Sequence, residues 1–171
     1  MLTIRAVSEA DAEALASIYK PYVENTAVSF EYTAPNAAEF AQRIKSITRK
    51  YPYLVAEEDG CILGYAYAAE FKGRAAYDRS VETTIYLRQD KRQRGIGSLL
   101  YKNLEAKLKE AGFLNMYACI AKPREEKDEY LSWDSIIFHE KQGFRTVGCF
   151  TACGIKFDRF YDMIWMEKLL Y

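Results

Sequence analysis

The residues with the clearest chemical potential lie between 92 and 97, Arg92-Gln93-Arg94-Gly95-Ile96-Gly97. They join an alternating strand (Val81, Thr83, Ile85 and Leu87 on one face; Glu82, Thr84 and Tyr86 on the other) to an amphipathic helix. That helix carries Leu100, Leu104 and Leu108 at i, i+4 spacing and meets Gly112 where a C-terminal cap belongs. Glycines at a helix mouth let a ligand approach the backbone closely. First-turn N–H groups have no intrahelical partner, and the helix dipole adds positive potential. With Lys91, Arg92 and Arg94 nearby, the turn reads as an anion site suited to a pyrophosphate. A P-loop is excluded because no G-x-x-x-x-G-K-[ST] run occurs. A dinucleotide turn lacks its third glycine, since Gly112 is the next after Gly97. What remains is an R-x-x-G-x-G turn after a strand, or a basic turn that binds nothing.

The elements that must position this turn follow the order β-α-α-β-β-β-α-β-α-β-β. Residues 2–7 alternate as a strand, Ser8 to Asp11 resembles a capping box, and Ala12, Leu15, Ile18 and Tyr19 form a helical stripe. A loop over 25–35 precedes a second helix over 37–50. Strands over 53–57 and 61–69 flank the turn Glu58-Asp59-Gly60, a hairpin signal. After the central strand, turn and helix come a strand over 115–121, a charged loop over 122–129, a short helix over 135–142 ending at Gly143, and strands over 144–151 and 160–169. One mixed sheet with helices on both faces accommodates this order in a single domain, 1–171.

Composition bounds the function. The chain has 24 basic and 24 acidic residues and a formal net charge of zero. That leaves no basic excess for nucleic acid as the main partner. No apolar run reaches transmembrane length, and the N-terminus lacks a signal-peptide pattern, so a cytoplasmic protein is expected. Cys61, Cys119, Cys149 and Cys153 have no C-x-x-C spacing and are expected to be free, buried thiols. Cys149 and Cys153 with the single His139 make a poor zinc set, and no metal is expected.

The R-x-x-G-x-G turn resembles the acetyl-CoA pyrophosphate loop of the GNAT superfamily, and five blocks in order resemble its phosphinothricin acetyltransferase family. These are TIRAVSEAD near the start; YPYLVAEEDG with Gly64-Tyr65-Ala66-Tyr67-Ala68; Val81 to Tyr86; Phe138 to Phe144; and the late Lys156 and Asp162. The resemblance implies an α/β GNAT fold, with a mixed, mostly antiparallel sheet flanked by helices. It also implies a β-bulge that splays the central strand from the next, with the splay between residues 85–88 and 116–120. It implies an acetyl-CoA-dependent N-acetyltransferase acting on a small amine, an amino acid or an analogue such as phosphinothricin, methionine sulfone or methionine sulfoximine, usually as a homodimer. Acetyl-CoA would contact Ile85, Tyr86, Leu87, Arg92, Gln93, Arg94, Gly95, Ile96, Gly97 and Ser98.

Such chemistry needs a base to deprotonate the acceptor ammonium, a donor for the oxyanion and an acid for the leaving thiolate. Glu82 stands at the family's glutamate and is the candidate base. A backbone N–H near Leu87 is the candidate oxyanion donor. His139, where many GNAT enzymes place a tyrosine acid, is the candidate acid; the alternative is a packed helix histidine. Phe30, Lys72 and Arg74 align with acceptor-pocket loops, and a cation there suits a carboxylate. The chain departs from the family in its longer 122–130 loop. It also has Ser132-Trp133-Asp134 where an asparagine usually holds the pantetheine, and Gly154-Ile155-Lys156 leading into an altered turn. The readings left open are another acceptor, a protein N-terminus or a polyamine, and an acetyl-CoA-binding regulatory module without catalysis.

Overall fold

The computed structural model describes residues 1–91 and 95–171. Its elements are β1 (Leu2–Ala6), α1 (Ala12–Asn25), α2 (Ala37–Ile47), β2 (Tyr53–Glu58), β3 (Cys61–Glu70), β4 (Ser80–Leu87), α3 (Ile96–Glu110), β5 (Asn115–Lys122), α4 (Asp134–Lys141), β6 (Arg145–Lys156) and β7 (Arg159–Leu169). The seven strands form one sheet in the order β1-β2-β3-β4-β5-β7-β6. All neighbours are antiparallel except β4 and β5.

Local chemistry explains the element ends. Ser8 and Asp11 form the expected capping box, and Arg5 grips both Asp11 oxygens at 2.8 and 2.9 Å. Asn36 and Glu39 cap α2 reciprocally. α2 stops at Ile47, short of the expected 50, and residues 48–50 form a turn in which the Lys50 and Tyr51 N–H groups share the Ile47 carbonyl. Gly112 and Gly143 take φ of +80° and +89° and close α3 and α4. Phe113 N–H bonds the Leu108 carbonyl, Gly112 N–H that of Lys109, and the pattern repeats at Phe144 and Gly143.

The alternation seen in the sequence sorts the sheet into two cores. α3 buries Leu100, Leu104 and Leu108 against Leu54, Ala56, Ala66 and Met116 on one face. α1 and α2 bury Leu15, Tyr22 and Ile44 against Tyr53, Val55 and Tyr65 on the other. The four cysteines are free but exposed, contrary to the expected burial. Cys61 begins β3, while Cys119, Cys149 and Cys153 lie on β5 and β6, away from the β2–β4 surface under α1 and α2.

β4 and β5 pair through Ser80 with Asn115, Val81 with Met116 and Glu82 with Tyr117, and then separate. β5 instead follows β7 along its whole length, from Asn115 with Leu169 to Lys122 with Asp162. The opening therefore begins at Thr83, earlier than the resemblance implied. The register of β3 with β4 is unbroken from Gly64 with Leu87 to Glu70 with Val81, so the expected bulge is not in that ladder. Register shifts occur in the β2–β3 and β6–β7 ladders. The divergence of β5 makes the V.

Candidate active site

The V between β4 and β5 exposes backbone that a closed sheet would hide. Arg88 N–H donates to the Leu63 carbonyl at 2.8 Å, which sets the antiparallel alternation of β4 on β3. Ile85 and Leu87 therefore turn their backbone N–H and C=O groups away from β3 and into the V. Tyr22 reaches across from α1 and donates its hydroxyl to the Leu87 carbonyl at 2.6 Å. A cleft of about 400 Å³ fills this space.

At one end the cleft meets the start of α3. Gly95, at φ +76°, occupies the N-cap and offers no side chain to bond the first-turn N–H groups. The N–H groups of Ile96, Gly97 and Ser98 thus have no intrahelical partner. Gly97 is closely packed: a Cβ there would lie 3.0 Å from Phe138 Cε2 and 3.4 Å from Leu87 Cδ1, so the Phe138 ring would have to shift to admit one. Arg92, Gln93 and Arg94, the charged half of the anion motif, lie outside the described residues. Ser132 and Asp134 line the wall formed by the start of α4.

A smaller space of about 80 Å³ shares Val28, Ile85, Tyr86 and Ser135 with the first and continues to Thr83, Thr84 and Cys119. Thr83 is buried and donates to the Tyr117 carbonyl at 3.1 Å, at the point where the strands part. Beside it, half-buried Glu82 is flanked by Ala69 on β3 and Tyr117 on β5. Burial pushes the Glu82 carboxyl above the usual carboxylate range, and the Lys72 ammonium pulls it partly back. Lys72 Nζ lies over the rings of Phe71 and Trp165, 5.1 and 5.4 Å from their centroids. Arg74 is exposed next to the short 3-10 turn Ala75–Tyr77. Phe30 packs on Gly154 and Tyr161. The structure thus brings Ile85, Tyr86, Leu87, Gly95, Ile96, Gly97 and Ser98 to one cleft and places Glu82 and Lys72 together near its inner end.

His139 is 4% exposed on α4. Its Nδ1 lies 2.7 Å from the Ser135 carbonyl, which can only accept, so Nδ1 carries the proton. Nε2, 2.8 Å from the Tyr101 hydroxyl, is then the acceptor. Burial holds the ring neutral, with its pKa lowered from 6.5 to about 4. Both ring nitrogens are engaged within the fold, and this arrangement has no spare proton for a leaving thiolate.

Tyr22, Thr83 and Tyr101 were not legible as site residues. Tyr22 and Tyr101 sit on apolar helix stripes, which report burial but say nothing about what a hydroxyl will reach. Among the described residues, no group of three or more His, Cys, Asp or Glu side chains could hold a metal ion. Among the described residues, no helix is long and apolar enough to cross a membrane.

Comparison with known proteins agrees with this geometry. A family model described as an acetyltransferase (GNAT) domain matches residues 4–165. Phosphinothricin N-acetyltransferase of Streptomyces coelicolor is 34% identical, over 98% of this chain and 95% of that protein. The L-methionine sulfoximine/L-methionine sulfone acetyltransferase of Pseudomonas aeruginosa is 29% identical, over 96% and 92%. Among solved structures, a GNAT superfamily phosphinothricin acetyltransferase from Sinorhizobium meliloti in complex with AcCoA superposes with a TM-score of 0.88. It is 35% identical and covers 98% of this chain and 88% of its own.

Proposed function

We propose that this chain, which belongs to the GNAT acetyltransferase family, transfers the acetyl group of acetyl-CoA to the amino group of an amino acid or analogue. The acceptors we favour are of the phosphinothricin, methionine sulfone or methionine sulfoximine type, on which the named relatives act. The observation that carries the reading is the pair of adjoining spaces that runs from the uncapped start of α3 to Thr83 and Cys119, beside Glu82. The residues present suit the cosubstrate. The N–H groups of Ile96, Gly97 and Ser98 would receive its pyrophosphate, and the Ile85 backbone would bond its pantetheine arm as a strand would. Ser132 and Asp134 take the position of the missing asparagine.

In this reading Glu82 removes a proton from the acceptor ammonium, directly or through water. Its raised pKa brings a carboxylate closer to the pH at which it must act. The amine then attacks the thioester carbonyl, and the Leu87 N–H bonds the developing oxyanion, a contribution of about 3 kcal/mol for one such donor. Collapse of the intermediate breaks the C–S bond, and CoA leaves as a thiolate that is protonated by the proton the new amide nitrogen gives up or by solvent. His139 serves to hold Tyr101 and α4 rather than to deliver a proton. Lys72 and Arg74 meet the carboxylate or oxyacid end of the acceptor.

We extend the reading to a cytoplasmic homodimer. The support is the 12-residue edge strand β6, on which Val147, Phe150 and Ile155 are 47%, 53% and 50% exposed. Sedimentation at micromolar concentration giving a monomer would remove the dimer. The activity is tested by acetyl-CoA-dependent thiol release over a panel of phosphinothricin, methionine sulfone, methionine sulfoximine, amino acids, polyamines and an N-terminal peptide. Turnover on the sulfone, sulfoximine and phosphinate acceptors is expected. Preference for the peptide or polyamines would overturn the acceptor class, and bound acetyl-CoA without any turnover would overturn the enzyme reading.

A further inference from the structure

Lys156, at the end of β6, is a buried lysine, 4% exposed, that forms no ion pair within 4 Å among the described residues, although the Glu31 carboxylate attracts it from farther away. Its ammonium donates at 2.6 Å to the Val23 carbonyl and at 2.6 Å to the Ser29 carbonyl, 133 and 127 residues away. Val23 lies in the last turn of α1, where carbonyls lack intrahelical donors and the dipole is negative, so a cation is favoured there. The Ala27 N–H, which a longer helix would have turned onto Val23, donates instead to the Tyr130 carbonyl at 2.9 Å. Lys156 therefore ends α1 and at the same time grips the loop that follows it.

That loop is the wall beside the inner end of the cleft. Val28 borders both the larger and the smaller space. Phe30 lies so close to Gly154 that a Cβ there would come within 2.3 Å of Phe30 Cε2. The Tyr32 hydroxyl donates to the Ile155 carbonyl at 2.6 Å. Three successive β6 residues, Gly154, Ile155 and Lys156, thus dock the segment 28–32 by shape, by a main-chain acceptor and by a buried cation.

We propose that Lys156 is the positioning residue for the acceptor side of the site, fixing through the Val23 and Ser29 carbonyls the segment in which Val28 borders both spaces and Phe30 packs behind it on Gly154. This rests on the acetyltransferase reading above for its kinetic consequence but not for its structural one. Lys156 touches neither reactant, and the segment it holds meets the acetyl-CoA cleft through Val28 alone, far from the pyrophosphate end at α3, so its loss weakens the acceptor much more than acetyl-CoA.

Three variants test this: Lys156→Met, which keeps the apolar stem; Lys156→Gln, which keeps two donors on a shorter stem; and Gly154→Ala, which displaces Phe30 without touching a charge. The readouts are the acceptor KM, the acetyl-CoA dissociation constant by calorimetry, and amide hydrogen exchange over residues 26–32. For Lys156→Met the acceptor KM should rise about tenfold, the acetyl-CoA constant should stay within about twofold, and 26–32 should exchange faster. Lys156→Gln should fall between it and the parent, and Gly154→Ala should follow the Met variant. An acceptor KM within about twofold of the parent in folded variants overturns the proposal, as does equal weakening of both ligands or unchanged exchange over 26–32. If Lys156→Met does not fold, Gly154→Ala decides by the same criteria. If the parent acetylates nothing in the panel, the exchange measurement still decides whether Lys156 holds the wall.

Discussion

His139 offers a test in which stability and catalysis give separate answers. Its ring is neutral in the fold, with a pKa of about 4 against 6.5 for an exposed histidine. Between those values the unfolded chain binds a proton that the folded chain refuses, so stability rises with pH across this window and is lost as the pH falls. The full gap corresponds to about 3 kcal/mol. Applying the same linkage at pH 5 gives a loss of about 2 kcal/mol relative to neutral pH. For a chain of this size that is a fall of about 5 °C in midpoint.

Carboxyls also couple folding to acid, Glu82 through a raised pKa and Asp11, Glu31 and Glu105 through lowered ones. The quantity to measure is therefore a difference. Urea unfolding of the parent and of His139→Gln, each at about pH 7.5 and about pH 5, should show the stability gap shrinking by about 2 kcal/mol at the lower pH. Turnover of the folded variant at its optimum should stay within about tenfold of the parent, because His139 has no free proton to supply. A gap that does not change with pH refutes the buried neutral ring. A thousandfold loss of turnover in a folded variant refutes its exclusion from proton transfer.

Glu82→Gln should lower kcat/KM by about 10²–10⁴ without unfolding the chain. In the parent, kcat/KM should fall with acid through a pKa above the ordinary 4.5, because the base acts only when ionised. Lys72→Met should move that limb to higher pH, since the ammonium lowers the Glu82 pKa; a limb that stays put or moves down contradicts the pairing. Gly97→Ala brings a Cβ to 3.0 Å from Phe138. It should cost about 1–3 kcal/mol in denaturant melts and raise the acetyl-CoA KM, so an unchanged KM would show that the helix start is not the anion site. Tyr22→Phe removes the donor to Leu87. Calorimetry should show acetyl-CoA binding weakened about fivefold, in line with roughly 1 kcal/mol for one hydrogen bond, whereas unaltered affinity would show that the strand needs no such brace.

The parts of this molecule that could be read in advance are those whose cause is local. Gly112 and Gly143 announce helix ends because positive φ is needed at that position, and Asp59-Gly60 announces a hairpin for the same reason. Alternation from Val81 to Leu87 identified the central strand, and the paired glycines identified the helix mouth. What stayed hidden depends on partners distant in sequence: Tyr22 with Leu87 at a separation of 65 residues, Tyr101 with His139 at 38, and Lys156 with Val23 at 133. A side-chain pattern reports which face is buried, not which carbonyl a buried hydroxyl or ammonium will meet. The cysteines show the same limit from the other side. Alternation marks Cys119 as a strand residue, yet its exposure depends on whether a helix covers that stretch of sheet, and α1 and α2 pack over β2–β4 instead.

The chemistry in turn depends on pairing that the fold withholds. Had β5 continued beside β4 past Glu82, Ile85 and Leu87 would have bonded a neighbour and no cleft would exist. Because β5 leaves β4 to follow β7, a stretch of strand backbone stays available for a ligand, with Glu82 at the point of departure. Tyr22 and Thr83, which bond carbonyls on either side of that fork, are accordingly where loss of a single hydroxyl should disturb the site most for the least change in packing.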